Sequence, residues 1–228
     1  MASALCRFQR HGWKADVLHE RGDSADVIGK SRFHNYEFVA DAKVFRLSRT
    51  AKNQKDFKVT SMNHWKGNAE HAVIVCPFYQ YPSTCSQIYS QVLDTGVALS
   101  SFEHLLFCFR SGIKETKDVS LRELFSYPVE LSARVAHSER KQARHVMNAL
   151  DTTVAKVCKV PVKAVVESRN FLAKTVLSPR AEEEVAFWQT EIQKIEKLTR
   201  EEALESLIES RKIHGKIESI KEFIILST

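Results

Sequence analysis

Apolar and polar residues alternate from position 38 to 47, and a period of two is the mark of a half-buried strand. A shorter strand candidate, Ala25-Asp26-Val27-Ile28, follows the polar turn Arg21-Gly22-Asp23-Ser24. The polar connection 29–35 between them is of hairpin length, which predicts antiparallel neighbours. Residues 54–65 read as a helix with Phe57, Val59, Met62 and Trp65 as its apolar positions. Residues 72–76 form a short continuous apolar run, as in a strand covered on both faces. Helical spacing returns at 83–93 and strand character at 96–99. Ser100-x-x-Glu103 reads as a capping box ahead of a helix over 102–109. Strands alternating with helices predict an α/β or α+β core.

The first twenty residues are weakly patterned. From Leu131 onward the character changes, and residues 139–158, 182–198 and 201–223 carry apolar positions at helical spacing. Thr199-x-x-Glu202 is a second capping box, and Pro161 and Pro179 are expected to separate the helical segments. There is no internal repeat and no low-complexity tract.

Composition narrows the picture. The chain has 228 residues, 43% of them hydrophobic, enough to bury a real core. Lys plus Arg is 34 and Asp plus Glu is 28, a formal net charge of +6, which fits a polyanionic partner without requiring one. The cysteines, Cys6, Cys76, Cys85, Cys108 and Cys158, are odd in number, widely spaced and without a CxxC. They read as reduced, mostly buried thiols rather than a zinc site or disulfide framework. No apolar run reaches the roughly 18 residues of a membrane span, and residues 1–10 lack a signal-peptide core, so a cytoplasmic location is expected. Without a Walker A loop or GxGxxG, no nucleotide cofactor is expected. The nine histidines show no HExxH or HxH spacing and read as surface or capping residues.

The candidate chemistry sits at Asp41-Ala42-Lys43, at the end of the strand beginning Tyr36-Glu37-Phe38. An acid, one spacer and a lysine put opposite charges on one strand face. A hairpin partner would bring Asp26 beside Asp41; Glu20 and Asp23 are alternative acids for that position. Two carboxylates and a backbone carbonyl, here Ala42, are enough for magnesium, which keeps several waters. Such an ion would activate water and absorb charge during phosphodiester hydrolysis. Lys43 would orient the water, lower its pKa or stabilise developing charge. A bare DxK also describes an ordinary surface ion pair.

The next thirteen residues, 46–58, contain Arg46, Arg49, Lys52, Lys55 and Lys58 against one acid, Asp56. Arg46, Arg49 and Lys52 suit phosphate contacts, which give affinity but little sequence information. Asn53 and Gln54 have the amide geometry for adenine, Lys55 and Lys58 suit guanine, and Asp56 suits cytosine N4 in the major groove. A solvated charged loop is the plainer reading of the same segment.

VADAKVFRLSRTAKNQKDFKV (39–59) and CPFYQYPSTCSQIY (76–89) resemble the HindIII-type family of type II restriction endonucleases. So do RGDSADVIG (21–29), FEHL (102–105), FWQTEIQKIEKLTREEALESL (187–207) and KIES (216–219). The resemblance is dense over 21–107, thins over 109–180, and resumes in the C-terminal helices. It implies a PD-(D/E)xK core, with a mixed central sheet flanked by helices and a helical C-terminal half. It also implies Mg²⁺ dependence and a homodimer cutting double-stranded DNA at a six-base palindrome, of the AAGCTT type, in a bacterial cytoplasm. Carried over by position, Asp26, Asp41 and Lys43 match the catalytic trio, with Asp26, Asp41 and Ala42 toward the metal. Asn53, Lys55, Asp56 and Lys58 fall in the recognition segment. The implied division is a catalytic core, 1–110, with the DNA-recognition segment at 46–66. Residues 111–228 would form a helical region for dimerisation and DNA embrace. Departures are Ala25, where the family has glycine, a divergent stretch 111–174, and a shorter N-terminal region. The last motivates the competing expectation of a truncated, catalytically weak or inactive DNA-binding remnant.

Overall fold

The structure, a computed structural model, describes residues 8–9, 11–18, 24–44 and 57–218, with the backbone alone at 176–178. Five strands form one mixed sheet in the order β1-β2-β3-β4-β5: β1 (Lys14–Val17), β2 (Val27–Lys30), β3 (Glu37–Ala42), β4 (His71–Cys76) and β5 (Ala98–Ser101). The first three are antiparallel neighbours, whereas β3–β4 and β4–β5 are parallel. Parallel neighbours need crossovers, and helices α1 (Val59–Trp65) and α2 (Gln87–Thr95) lie in these connections. The α/β class expected from the pattern is therefore present, with the expected hairpin of β2 and β3.

The register explains much of the core. Gly29 pairs with Phe38, and the Phe38 ring lies across the glycine, where an added Cβ would meet Phe38 Cζ at 2.3 Å. Phe38 stacks on Phe125 at 4.5 Å between ring centroids, with Trp13 edge-on at 5.3 Å. Phe125 comes from α4 (Glu123–Ser132), which follows α3 (Phe102–Arg110). The inner strand β4, His-Ala-Val-Ile-Val-Cys, is buried at every position, the continuous apolar run that a doubly covered strand requires. At the edge, buried Glu115 accepts hydrogen bonds from Tyr36 Oη (2.8 Å), Ser31 Oγ and Leu121 N (2.7 Å). These bonds satisfy its carboxylate and tie the β2–β3 connection to the loop beyond α3.

Further helices among the described residues are α5 (Ala143–Cys158), α6 (Val162–Glu196) and α7 (Arg200–Ser210). The chain divides into two compact units, Met1–Leu177 and Ser178–Thr228, later than the change in sequence character. The first holds the sheet with α1 to α5; the second is helical in its described part.

Several expectations need correction. Ser101, not Ser100, caps α3, its hydroxyl accepting from His104 N at 3.3 Å. Glu103 is thereby released from a capping box and accepts from Phe78 N at 2.9 Å. Pro179 lies inside α6 rather than between helices, while Pro161 does fall between α5 and α6. The sequence pattern predicts neither strand β1 nor helix α4. A four-residue edge strand is too short to display a period, and Pro128 interrupts the pattern of α4. The second capping box stands: Thr199 Oγ1 accepts from Glu202 N, and Glu202 Oε2 from Thr199 N.

Candidate active site

The hairpin continues one step beyond β2. Asp26 N donates to Ala40 O at 3.0 Å and Leu18 N to Asp26 O at 2.9 Å. The β2–β3 register ends at Val27 and Ala40, and just beyond it the Asp26 and Asp41 side chains come within hydrogen-bond reach of each other. Asp26 Oδ2 accepts from the Ala42 backbone N at 2.9 Å, which fixes the carboxylate against the end of β3. Lys43 Nζ lies 2.6 Å from Asp41 Oδ2, and Lys43 N donates to Val75 O at 2.8 Å, anchoring the lysine to β4. Asp26, Asp41, Ala42 and Lys43 are thus gathered at one end of the sheet.

Their electrostatics are unusual for surface charges. Asp41 is only 2% exposed. Burial raises its pKa from 3.8 to about 6; Lys43 opposes the rise, and hydrogen bonding with Asp26 and its charge add to it. An isolated surface pair would leave the acid solvated. Two carboxylates pressed together in a desolvated spot, with one cation to hand, form an oxygen-rich set that a hard divalent cation would relieve. Among the described residues no group of three or more His, Cys, Asp or Glu side chains is placed to hold a metal. Two carboxylates plus a carbonyl fit an ion that retains water better than one caged by protein.

Arg46, Arg49, Lys52, Asn53, Gln54, Lys55 and Asp56 lie outside the described residues. Lys58, at the far end of that segment, has φ 51° at the N-terminus of α1 and places Nζ 5.0 Å from the Trp65 ring centroid. Phe57 beside it is fully buried and stacks on Tyr81 at 5.5 Å.

Cys76, Cys108 and Cys158 are buried thiols outside any disulfide, and Cys85 is an exposed one. His11, His71 and His104 are buried rather than superficial. His104 belongs to an ionic cluster with Asp151 and Arg169 that no spacing pattern joins, its members being up to 65 residues apart. No helix among the described residues is long and apolar enough to cross a membrane.

Comparison with known proteins gives one consistent answer. The family model for HindIII restriction endonuclease matches residues 2–224. The type II restriction enzyme HindIII of Haemophilus influenzae is 37% identical over 219 residues, covering 95% of this chain and 71% of that protein.

Proposed function

Since this chain belongs to the HindIII restriction endonuclease family and is a site-specific DNA endonuclease, we propose that it hydrolyses double-stranded DNA in a Mg²⁺-dependent reaction at Asp26, Asp41 and Lys43. The observation that carries this reading is the buried Asp41 carboxylate, facing Asp26 and 2.6 Å from Lys43. Asp26, Asp41 and the Ala42 carbonyl would hold the ion. When bound it would supply a Lewis acid for the phosphate oxygens and a way to activate water near neutral pH.

The chain's own contributions follow from position. Above pH about 6 Asp41 is ionised and available as a ligand. The Ala42 N–H holds Asp26 in one orientation, so the second carboxylate is preorganised. Lys43, whose side chain is 21% exposed, is anchored by its backbone to β4 and can leave Asp41 for the scissile phosphate, where an ammonium stabilises growing negative charge. Arg46, Arg49 and Lys52 contact phosphates, and Asn53, Gln54, Lys55, Asp56 and Lys58 read bases.

The recognition sequence is a six-base palindrome of the AAGCTT type, cut by a homodimer in which each subunit reads one half-site. In the second unit Val185, Trp188, Ile192 and Ile195 are exposed at spacings of three, four and three, the seam a partner helix would cover. The reaction uses no nucleotide cofactor and takes place in a bacterial cytoplasm. Mapping of cut ends on sequenced DNA tests the specificity: ends at AAGCTT support it, and discrete ends elsewhere replace the site while keeping the chemistry. Asn53→Ala should weaken discrimination more than affinity for random duplex; equal loss on both would argue against base reading by this residue.

A further inference from the structure

One buried polar cluster has no part in that chemistry and touches the same end of the sheet. Asp151 on α5 is 3% exposed and accepts from His104 Nε2 at 2.7 Å. Arg169 on α6 pairs with the same carboxylate, Nη2 donating to Oδ2 at 3.2 Å and Nε in ion-pair contact with Oδ1 at 3.2 Å. On the far side of the imidazole, Ser101 Oγ lies 2.8 Å from His104 Nδ1. With Nε2–H committed to the carboxylate, Nδ1 accepts from the serine hydroxyl, so one neutral tautomer satisfies both ring nitrogens. Burial holds His104 below its ordinary pKa, against the pull of Asp151. Ser101 and His104 are fully buried, so this chain of groups cannot serve as a nucleophile toward an external substrate.

The cluster converges on one residue. The Arg169 guanidinium lies 3.5 Å from the centroid of the Phe78 ring, and Glu103 accepts from Phe78 N at 2.9 Å. Phe78 begins the short turn Phe78–Gln80, three residues beyond Val75, whose carbonyl holds Lys43 N. The turn closes on Tyr81, whose hydroxyl lies within hydrogen-bond reach of Ile74 O (3.0 Å) and Ser100 O (2.7 Å). The end of β4 is thus clamped from α3, α5 and α6 together. A buried ion pair is seldom the most stabilising way to fill a core, whereas it does impose one geometry.

We propose that Glu103, His104, Asp151 and Arg169 are positioning residues that fix the turn after β4 and, through Val75, the placement of Lys43. This rests on the assignment of Lys43 to catalysis. A misplacement of about 1 Å in a catalytic group reduces rate about 100-fold, so loosening the clamp should act on turnover rather than on DNA affinity.

The test uses the full chain on a duplex bearing the site that the wild-type protein cuts. Asp151→Asn keeps the shape and an acceptor for His104 but removes the charge that holds Arg169. The control is Val146→Ala, a core truncation on the same helix, compared at temperatures equally far below each melting point. A kcat for Asp151→Asn about 100-fold below wild type is expected, with KM and duplex affinity within about threefold and Val146→Ala near wild type. Equal kcat for the two variants would reduce the cluster to a stabilising role and overturn the proposal. Should Asp151→Asn fail to fold, Phe78→Leu removes the ring beneath Arg169 from a half-buried position. A loss of about tenfold or more in kcat at constant KM would then support the clamp, and wild-type turnover would overturn it. A folded wild-type chain that cuts no DNA would instead overturn the underlying assignment, and the proposal with it.

Discussion

Ionised Asp41 is destabilising in the fold, a burden that the proposed metal site would explain. Its pKa is 3.8 in ordinary surroundings and about 6 in the fold, so the folded chain binds this proton more tightly than the unfolded one. The stabilising contribution is complete below pH 3.8 and is lost as pH rises through about 6. At pH 8 the ionised group therefore costs of order 2–3 kcal/mol relative to its protonated form. Asp41→Asn should raise the stability of the metal-free protein at pH 8 by about 1–2 kcal/mol, discounted for the lost Lys43 contact, and should abolish cleavage. Thermal melts in EDTA from pH 4 to 8 check this; the gain should shrink toward pH 4, and no gain at pH 8 would contradict the buried-charge argument. For the same reason Mg²⁺ should bind more tightly as pH rises through about 6, measurable by calorimetry. The spacing of Asp41 and Lys43 was legible in the sequence because strand side chains alternate with period two. The burial of Asp41 was not, because it depends on parallel strands contributed from 30 and more residues away.

At the scale of elements, legibility followed length and isolation of the pattern. Strand β4 announced itself because burial on both faces demands an unbroken apolar run. The β2–β3 hairpin was legible from its polar connection, and the pairing of Gly29 with Phe38 now explains one of its residues. Gly29→Ala would drive a methyl into the Phe38 ring and disturb the stack with Trp13 and Phe125. A loss of about 1–3 kcal/mol is expected in urea unfolding, and an unchanged midpoint would show that the ring moves aside freely. The α3 cap was misplaced by one residue because Ser100 and Ser101 are both capable N-caps; the choice is made by His104 and Phe78, which are tertiary partners. Pro179 misled because proline usually marks a boundary, whereas α6 runs through it.

For the whole molecule, the family match runs over residues 2–224 and so spans both units, while the proposed dimer rests on the helical second one. The net charge of +6 suits a DNA partner, and the exposed seam of Val185, Trp188, Ile192 and Ile195 suits a second copy. Ile192→Glu should shift the sedimentation coefficient from dimer to monomer without changing the far-ultraviolet spectrum; a dimer that survives it would place the interface elsewhere. Composition does not reveal the proposed assembly, since apolar rows at helical spacing serve a core and an interface equally well.

The most direct measurement is digestion of a long plasmid by the wild-type chain and Asp41→Ala, each with Mg²⁺ and with EDTA. Discrete fragments should come from the wild type with Mg²⁺ alone, while Asp41→Ala still binds DNA but leaves it intact. Equal cutting by Asp41→Ala, or cutting in EDTA, would remove Asp41 from the chemistry.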